Sequence, residues 1–371
     1  MMISSAIIPQ PLARLPWRLI WLVALICTIG VVTLFSAAGG SWSPWALKQA
    51  VTILAFFGLA IGISYIPERF VKQVTFPAYA AILILLIVVE MVGFVGKGAQ
   101  RWIDLGFIRL QPSEFMKPAV VLVLARFYDL LPASDIRRWR GLWPAALLVL
   151  VPWTLILVQP DLGTATMVLV GGVSIMFVAG LPMWYFLSAL GAAAVAGPIL
   201  FSMMHEYQQK RLLIFMNPEA DPLGAGYHVS QSKIAIGSGG IWGKGYLNGS
   251  QSHLDYLPEG HTDFVFATYV EEWGLIGGVM LIIAFAMVVR WGMGVSRKAR
   301  SRYSQLAAAG LSMTIFFYFT VNLMMVMGLA PVVGIPLPLV SFGGSAVMTV
   351  MICLGLLMGI ERQSRTRSAL A

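Results

Sequence analysis

Residues 205–263 read HEYQQKRLLIFMNPEADPLGAGYHVSQSKIAIGSGGIWGKGYLNGSQSHLDYLPEGHTD. This is the one long polar run in a chain otherwise made of apolar blocks, and reading it as a loop held between membrane spans decides the fold. Lys210, Arg211, Lys233 and Lys244 alternate here with Glu206, Glu219, Asp221, Asp255, Glu259 and Asp263. Glycines punctuate it at Gly224, Gly226, Gly237, Gly239, Gly240, Gly243 and Gly245. A segment of this length between spans is either functional or disordered. Tyr227, Trp242, Tyr246 and Tyr256, together with branched apolar residues, argue for order.

Outside the loop, the 371 residues are 58% hydrophobic and 11% charged, with a mean hydropathy of +0.82. That excludes an ordinary soluble domain. Apolar runs able to cross about 30 Å of hydrocarbon predict about ten spans, at 17–36, 47–65, 74–93, 113–128, 142–158, 163–180, 183–203, 264–289, 306–328 and 340–360. The expected fold is an all-α polytopic integral membrane protein, one domain over 1–371, with a large structured extracytoplasmic loop at 204–263 between spans 7 and 8. Arg14 and Arg18 before Leu19–Phe35, followed by Ser36-Ala37-Ala38, have the look of a secretory signal. The apolar region is too long for one, so it reads as an uncleaved first span.

The net charge of +9 is spread over short loops rather than gathered on one face. Membrane topology and anionic headgroups explain it better than nucleic acid, and no nucleic-acid partner is expected. An even number of spans puts both termini on one side. That side holds the larger share of the 25 lysines and arginines and is expected to be cytoplasmic, with the long loop outside. Carboxylates gather on the other face, among them Asp104, Glu114, Asp161, Asp263, Glu271 and Glu272. Charges held at membrane depth mark functional sites by default. Cys27 and Cys353 lie inside spans and offer neither a disulfide framework nor a cysteine metal site.

Four outer segments carry the chemistry. In the first, Lys97-Gly98-Ala99-Gln100-Arg101-Trp102 leads through Arg109 to Gln111-Pro112-Ser113-Glu114-Phe115-Met116-Lys117. Pro112 suits the first turn of a helix, and Glu114 and Lys117 share one face, where an intrahelical ion pair is the plain alternative to a site. The second, Gln159-Pro160-Asp161-Leu162-Gly163-Thr164, repeats the Gln-Pro-acid start, with Asp161 as a helix cap in its simplest reading. The third is the loop, where Gly237–Gly240 and Gly243-Lys244-Gly245 have the composition of an anion-binding backbone or of a flexible linker, without a nucleotide fingerprint. Its end, Leu257-Pro258-Glu259-Gly260-His261-Thr262-Asp263, puts Asp263 at a helix mouth as a cap or a general base. His253 and His261 lack metal-site spacing, and no dedicated protein zinc site is expected. The fourth pairs Asn322 in the ninth span with Pro331–Ser345, whose three prolines and paired glycines imply a broken segment lining a cavity or buried in protein.

Taken together, Lys97–Trp102, Gln111–Lys117, Gln159–Thr164, Asp221–Tyr227, Gln231–Gly240, Gly243–Gly245, Leu257–Phe266 and Pro331–Ser345 resemble the shape, elongation, division and sporulation (SEDS) family from the first span to the last. Gln231–Lys244 and the short N-terminal tail resemble the elongation branch more than its division-specific sister. Gly260 stands where many relatives carry a larger residue, which is expected to loosen the segment bearing Asp263.

The resemblance implies a peptidoglycan glycosyltransferase in the bacterial cytoplasmic membrane that polymerises lipid II and releases undecaprenyl pyrophosphate. The implied partners are a class B penicillin-binding protein and other elongation-complex membrane proteins. Asp263 matches the family's essential aspartate, and Trp102, Glu114, Lys117, Asp161 and Arg211 fall on positions the family uses. The reaction needs a base and cations for the departing diphosphate. The expected base is Asp263. The expected diphosphate ligands are Arg101, Arg109, Lys117, Arg211 and Lys233, with Lys97 and Gln231 also at the substrate and room for a magnesium or manganese ion. The rival readings are a flippase for the same lipid and a scaffolding subunit. Neither accounts as well for acids and bases collected on one face.

Overall fold

The computed structural model describes residues 15–92, 94–96, 99–104, 109–204, 206–217, 224–253, 256–257 and 259–368. Helices occupy all ten apolar stretches. They are α1 Trp17–Ala37, α2 Ala46–Ser64, α3 Glu68–Val92, α4 Pro112–Leu130, α5 Trp139–Val158, α6 Leu162–Ala179 and α7 Met183–Met203. Two loop helices follow, α8 Glu206–Met216 and α9 Ala225–Gly239, and then α10 Val265–Lys298, α11 Arg302–Val326 and α12 Gly344–Ser368.

Eight of these helices are, among the described residues, long and apolar enough to cross a membrane. The other two of the expected ten are α4 and α7. Helix α4 carries Glu114, Lys117, Arg126 and Asp129, and tolerates them because its neighbours sheathe it: Met116, Val120, Val121, Val123, Leu124 and Ala125 are fully buried. In α7 the apolar run is shorter, Met183–Ile199, and Leu187, Leu190, Val195 and Ile199 are exposed. A helix apolar all round, as α7 is, is covered by lipid where protein does not cover it.

Between α3 and α4 the chain forms a small antiparallel ribbon, β1 Phe94–Gly96, β2 Ala99–Asp104 and β3 Arg109–Leu110, in the order β1-β2-β3. Hydropathy treats this stretch only as a connection, because strands this short leave no periodic signal.

At the end of the bundle remote from the long loop, charges tie three helices together. Lys72 reaches Glu68 at 2.9 Å and Asp129 at 3.4 Å, and Arg126 reaches Asp129 at 2.7 Å. Ser301 donates to Glu68 at 2.6 Å, and the Tyr303 backbone N–H donates to Asp129 at 3.2 Å.

At the other end, the loop hooks onto a break in α10. Gly274 interrupts that helix with φ 67°, leaving carbonyls and amides unpaired, and the glycine turn completes them. Lys244 N donates to Glu271 O and Gly245 N to Glu272 O, while Leu275 N donates to Gly240 O and Ile276 N to Ile241 O. The approach is so close that a Cβ on Gly243 would sit 2.0 Å from Glu272 O. Gly243→Val therefore combines a left-handed φ of 82° with a backbone clash. The expected loss is about 2–4 kcal/mol, read as a lower Tm in detergent, whereas Gly191→Ala, whose Cβ would meet nothing, leaves the Tm unchanged.

Candidate active site

The site is built around the irregular chain between α11 and α12. Pro331, Pro336 and Pro338 cannot continue a helix, and Gly334 takes φ 72°. Even so the segment is buried at Ile335, Leu337, Leu339, Val340 and Ser341, as the sequence expects of broken backbone at membrane depth. Its polar groups are accounted for by particular side chains. Leu337 N donates to Ser341 Oγ at 2.8 Å, and Gln49 Nε2 donates to Ser341 O at 2.9 Å.

The same segment fixes the chain that carries Asp263. Phe342 N donates to His261 O at 2.9 Å, Ser341 Oγ to Thr262 O at 2.6 Å, and Asn322 Nδ2 to Asp263 O at 2.8 Å. Three consecutive carbonyls are thus held from α11 and the irregular segment. Asn322 Nδ2 also donates to Ile335 O at 2.7 Å, so one fully buried amide joins both walls. Trp45 stacks on His261 at 4.1 Å, and Thr262 Oγ1 donates to Glu259 Oε2 at 2.6 Å.

Asp263 does not cap α10: the cap position falls on Phe264, whose side chain makes no capping bond. Its carboxylate faces Gly334, where an added Cβ would lie 3.6 Å from Oδ2. The expected looseness at Gly260 is not found. Gly260 is buried, its carbonyl accepts from Thr268 at 3.2 Å, and a Cβ there would lie 3.1 Å from Thr268 Oγ1.

Asn322→Leu removes the one donor shared by Asp263 O and Ile335 O. Loss of geometry by about an ångström at a reacting group costs on the order of 100-fold. Turnover at this site is expected to fall by about that factor with a folded, monodisperse protein, measured by an activity assay beside a thermal melt.

Two cations border the same irregular chain further along. Arg211 lines a small cavity with Gly328, Ala330, Pro331 and Val332. A Cβ on Gly328 would sit 2.3 Å from Lys233 Cε and 2.7 Å from its Nζ. Helices α8 and α9 thus bring Arg211 and Lys233 to one stretch of it, while Asp263 meets it at Gly334. Gln231 is half-buried on α9, two residues before Lys233.

Asp161 caps α6, accepting from Thr164 N at 3.0 Å, and its other oxygen accepts from Gln111 Nε2 at 3.0 Å. A Cβ on Gly163 would lie 2.6 Å from Val333 O, which puts this cap directly behind the irregular segment.

Glu114 and Lys117 lie deeper. Lys117 Nζ donates to Glu114 Oε1 at 2.6 Å and to Tyr318 OH at 2.7 Å, and Tyr318 OH donates to Glu114 Oε2. Lys117 is 3% exposed and Glu114 5%, so the pair spends its charges on each other and on α11 rather than on an open surface. Tyr318 is one helical turn before Asn322, which sets this cluster behind the Asp263 anchor.

Arg101 is likewise committed to the protein. It donates through Nε to Gln159 O at 2.8 Å and through its guanidinium to Pro160 O, pinning the ribbon to the Asp161 loop, with Trp102 half-buried beside it. Lys97 lies outside the described residues, and Arg109 is described only as backbone paired with Asp104.

The glycine runs do not present backbone N–H groups to an anion at Gly243–Gly245, because those amides donate to Gly239 O and to the α10 carbonyls. Glu271 and Glu272 are buried as well. Glu271 accepts from Lys244 at 2.7 Å and from Gln251 N at 2.9 Å, and Glu272 accepts from Ser36. The sequence marks Asn322 as polar at depth and Ser341 as part of the broken segment without showing what either bonds, and it gives Tyr318 no signal beyond a hydroxyl inside an apolar run.

Compared with known proteins, the chain matches the FtsW/RodA/SpoVE family, described as cell cycle protein, over residues 17–366. The chain belongs to this family. The FtsW/RodA/SpoVE relatives include the peptidoglycan glycosyltransferase MrdB of Escherichia coli (strain K12), 40% identical over 356 residues that cover 95% of each chain. Among solved structures, a chain from a peptidoglycan synthase complex, reported for its structural coordination of polymerization and crosslinking, superposes with a TM-score of 0.82. It is 32% identical, over 94% of this chain and 98% of that one. The rod shape determining protein RodA of Thermus thermophilus matches with a TM-score of 0.71 at 30% identity, over 94% and 97%. Membership in the FtsW/RodA/SpoVE family bears out the resemblance read from the motifs, and the multi-pass helical fold is the one its solved members have.

Proposed function

We propose that this chain polymerises lipid II at the membrane face that carries Asp263, with Asp263 as general base. That it is a peptidoglycan glycosyltransferase rests on family membership and on 40% identity with MrdB across nearly the whole chain. The finer reading rests on one observation: a carboxylate whose backbone is fixed at three successive carbonyls, set on the same irregular segment that Arg211 and Lys233 border.

In the proposed step Asp263 takes the proton of an acceptor sugar hydroxyl as that oxygen bonds to C1 of the donor sugar. The bond from C1 to the diphosphate oxygen breaks with inversion, and the electron pair leaves on undecaprenyl pyrophosphate. Arg211 and Lys233 hold that developing charge on the diphosphate. The leaving group is already a stable anion, so no second carboxylic acid of the glycosidase kind is needed.

Among the described residues no group of three or more His, Cys, Asp or Glu side chains could hold a metal ion. A magnesium or manganese ion would enter as a companion of the diphosphate, with Asp263 a carboxylate it could meet. The excess of Lys and Arg on the side of the termini supports cytoplasmic ends and an extracytoplasmic site. The likeness to a synthase complex that coordinates polymerization and crosslinking supports a class B penicillin-binding protein as partner.

The test incubates the purified chain and its transpeptidase partner with labelled lipid II in detergent. Glycan strands from wild type and none from Asp263→Ala carry the proposal. Strands from both overturn the role of Asp263. No strands from either, with lipid II crossing sealed vesicles, makes the chain a flippase.

A further inference from the structure

At the opposite end of α10 from Asp263, the last three turns and Glu361 of α12 line an open cavity of about 530 Å³. Arg290, Trp291, Gly294, Arg297 and Lys298 fall at positions that repeat on one face of a helix. Of the other described cations at this end, Lys72, Arg126, Arg138 and Arg365 are ion-paired with a carboxylate and Arg69, Arg137, Arg140 and Arg300 are not. It is therefore the cavity, more than the lack of a partner, that sets Arg290, Arg297 and Lys298 apart. Among the described residues Arg290, Arg297 and Lys298 have no ion pair. The one acid in the cavity wall, Glu361, is paired with Arg365 and does not cancel them.

A topological excess of positive charge needs cations, but it needs no cavity. Gly294 borders that space without narrowing it: a Cβ there would meet nothing within 4 Å. The wall is also graded with depth. Arg297 and Lys298 stand at the helix end, whereas Arg290 and half-buried Trp291 lie two turns further into a membrane-spanning helix, about 10 Å along its axis. Two charges at the water end, with a third charge and an indole about two turns below them, match a molecule with a phosphate head, an ester region and an acyl body better than a soluble anion.

We propose that this cavity binds the headgroup of an anionic phospholipid, with Arg297 and Lys298 on the phosphate, Arg290 on the glycerol ester region and Trp291 against the first methylenes. The site is separate from Asp263 and does not rest on the glycosyltransferase reading.

Native mass spectrometry of the full chain in detergent tests it, with phosphatidylglycerol titrated against phosphatidylcholine. One saturable phosphatidylglycerol is expected, retained at least about tenfold better than phosphatidylcholine. Arg297→Gln with Lys298→Gln weakens it by about tenfold. Gly294→Leu, which intrudes on the cavity without changing charge, weakens it comparably, as does the second uncharged probe, Trp291→Ala, while Asp263→Ala leaves it intact. Wild-type retention in both Gly294→Leu and Trp291→Ala would mean diffuse attraction to a basic surface and overturn the site. Equal retention of the two lipids, or displacement of phosphatidylglycerol by equimolar inorganic phosphate, overturns it as well.

Discussion

Asp263→Asn is expected to lower glycan polymerisation by about 10²–10⁴-fold, the usual worth of a positioned general base, and to leave the melting temperature within a degree or two. The asparagine keeps the shape and the backbone bonds from Asn322, Ser341 and Phe342, all of which go to main-chain carbonyls rather than to the carboxylate. Phe264, not Asp263, occupies the cap position of α10, so the helix loses no cap when the charge is removed. On the proposed reading, the signature is an enzyme that still binds lipid II and still assembles with a transpeptidase partner but forms no strands. Strand formation on a gel, lipid II binding and a thermal melt of the same preparation separate the three. An Asp263→Asn protein polymerising within fivefold of wild type would move the base elsewhere.

That prediction depends on structure the sequence shows only in part. Hydropathy finds each long helix because a membrane span is a local, composition-driven element, and Pro112 and Asp161 mark helix starts through chemistry confined to one turn. The loop was legible as ordered, but not as helices α8 and α9 that carry Arg211 and Lys233 to the irregular segment. The glycine turn misleads for a related reason. Gly243-Lys244-Gly245 has the composition of an anion nest, yet its amides serve the break at Gly274, some thirty residues away in the chain. Arg101 and Lys117 look like ligands for a diphosphate because nothing in the sequence reveals that Gln159, Pro160, Glu114 and Tyr318 already hold them.

Burial makes Lys117 the position with the largest expected effect on stability. Lys117→Met leaves the Glu114 carboxylate and the Tyr318 hydroxyl without their cation in the middle of the bundle. Breaking a buried pair from one side costs about 3–5 kcal/mol, because the remaining charge stays unsolvated. The single variant is therefore expected to unfold many degrees below wild type and to lose polymerisation. Glu114→Gln combined with Lys117→Met removes both charges together and is expected to recover most of the lost stability, since an uncharged pair of similar volume needs no counterion. Activity then tells two roles apart. Tyr318 is one turn from Asn322, which holds Asp263, so a positioning role predicts that polymerisation returns with stability, to within about tenfold of wild type. A double variant that melts like wild type but makes no strands would instead require Lys117 to meet the substrate in a state where the Glu114 pair opens. Melting and strand assays on the two singles and the double form a cycle whose coupling energy should match the stability recovered.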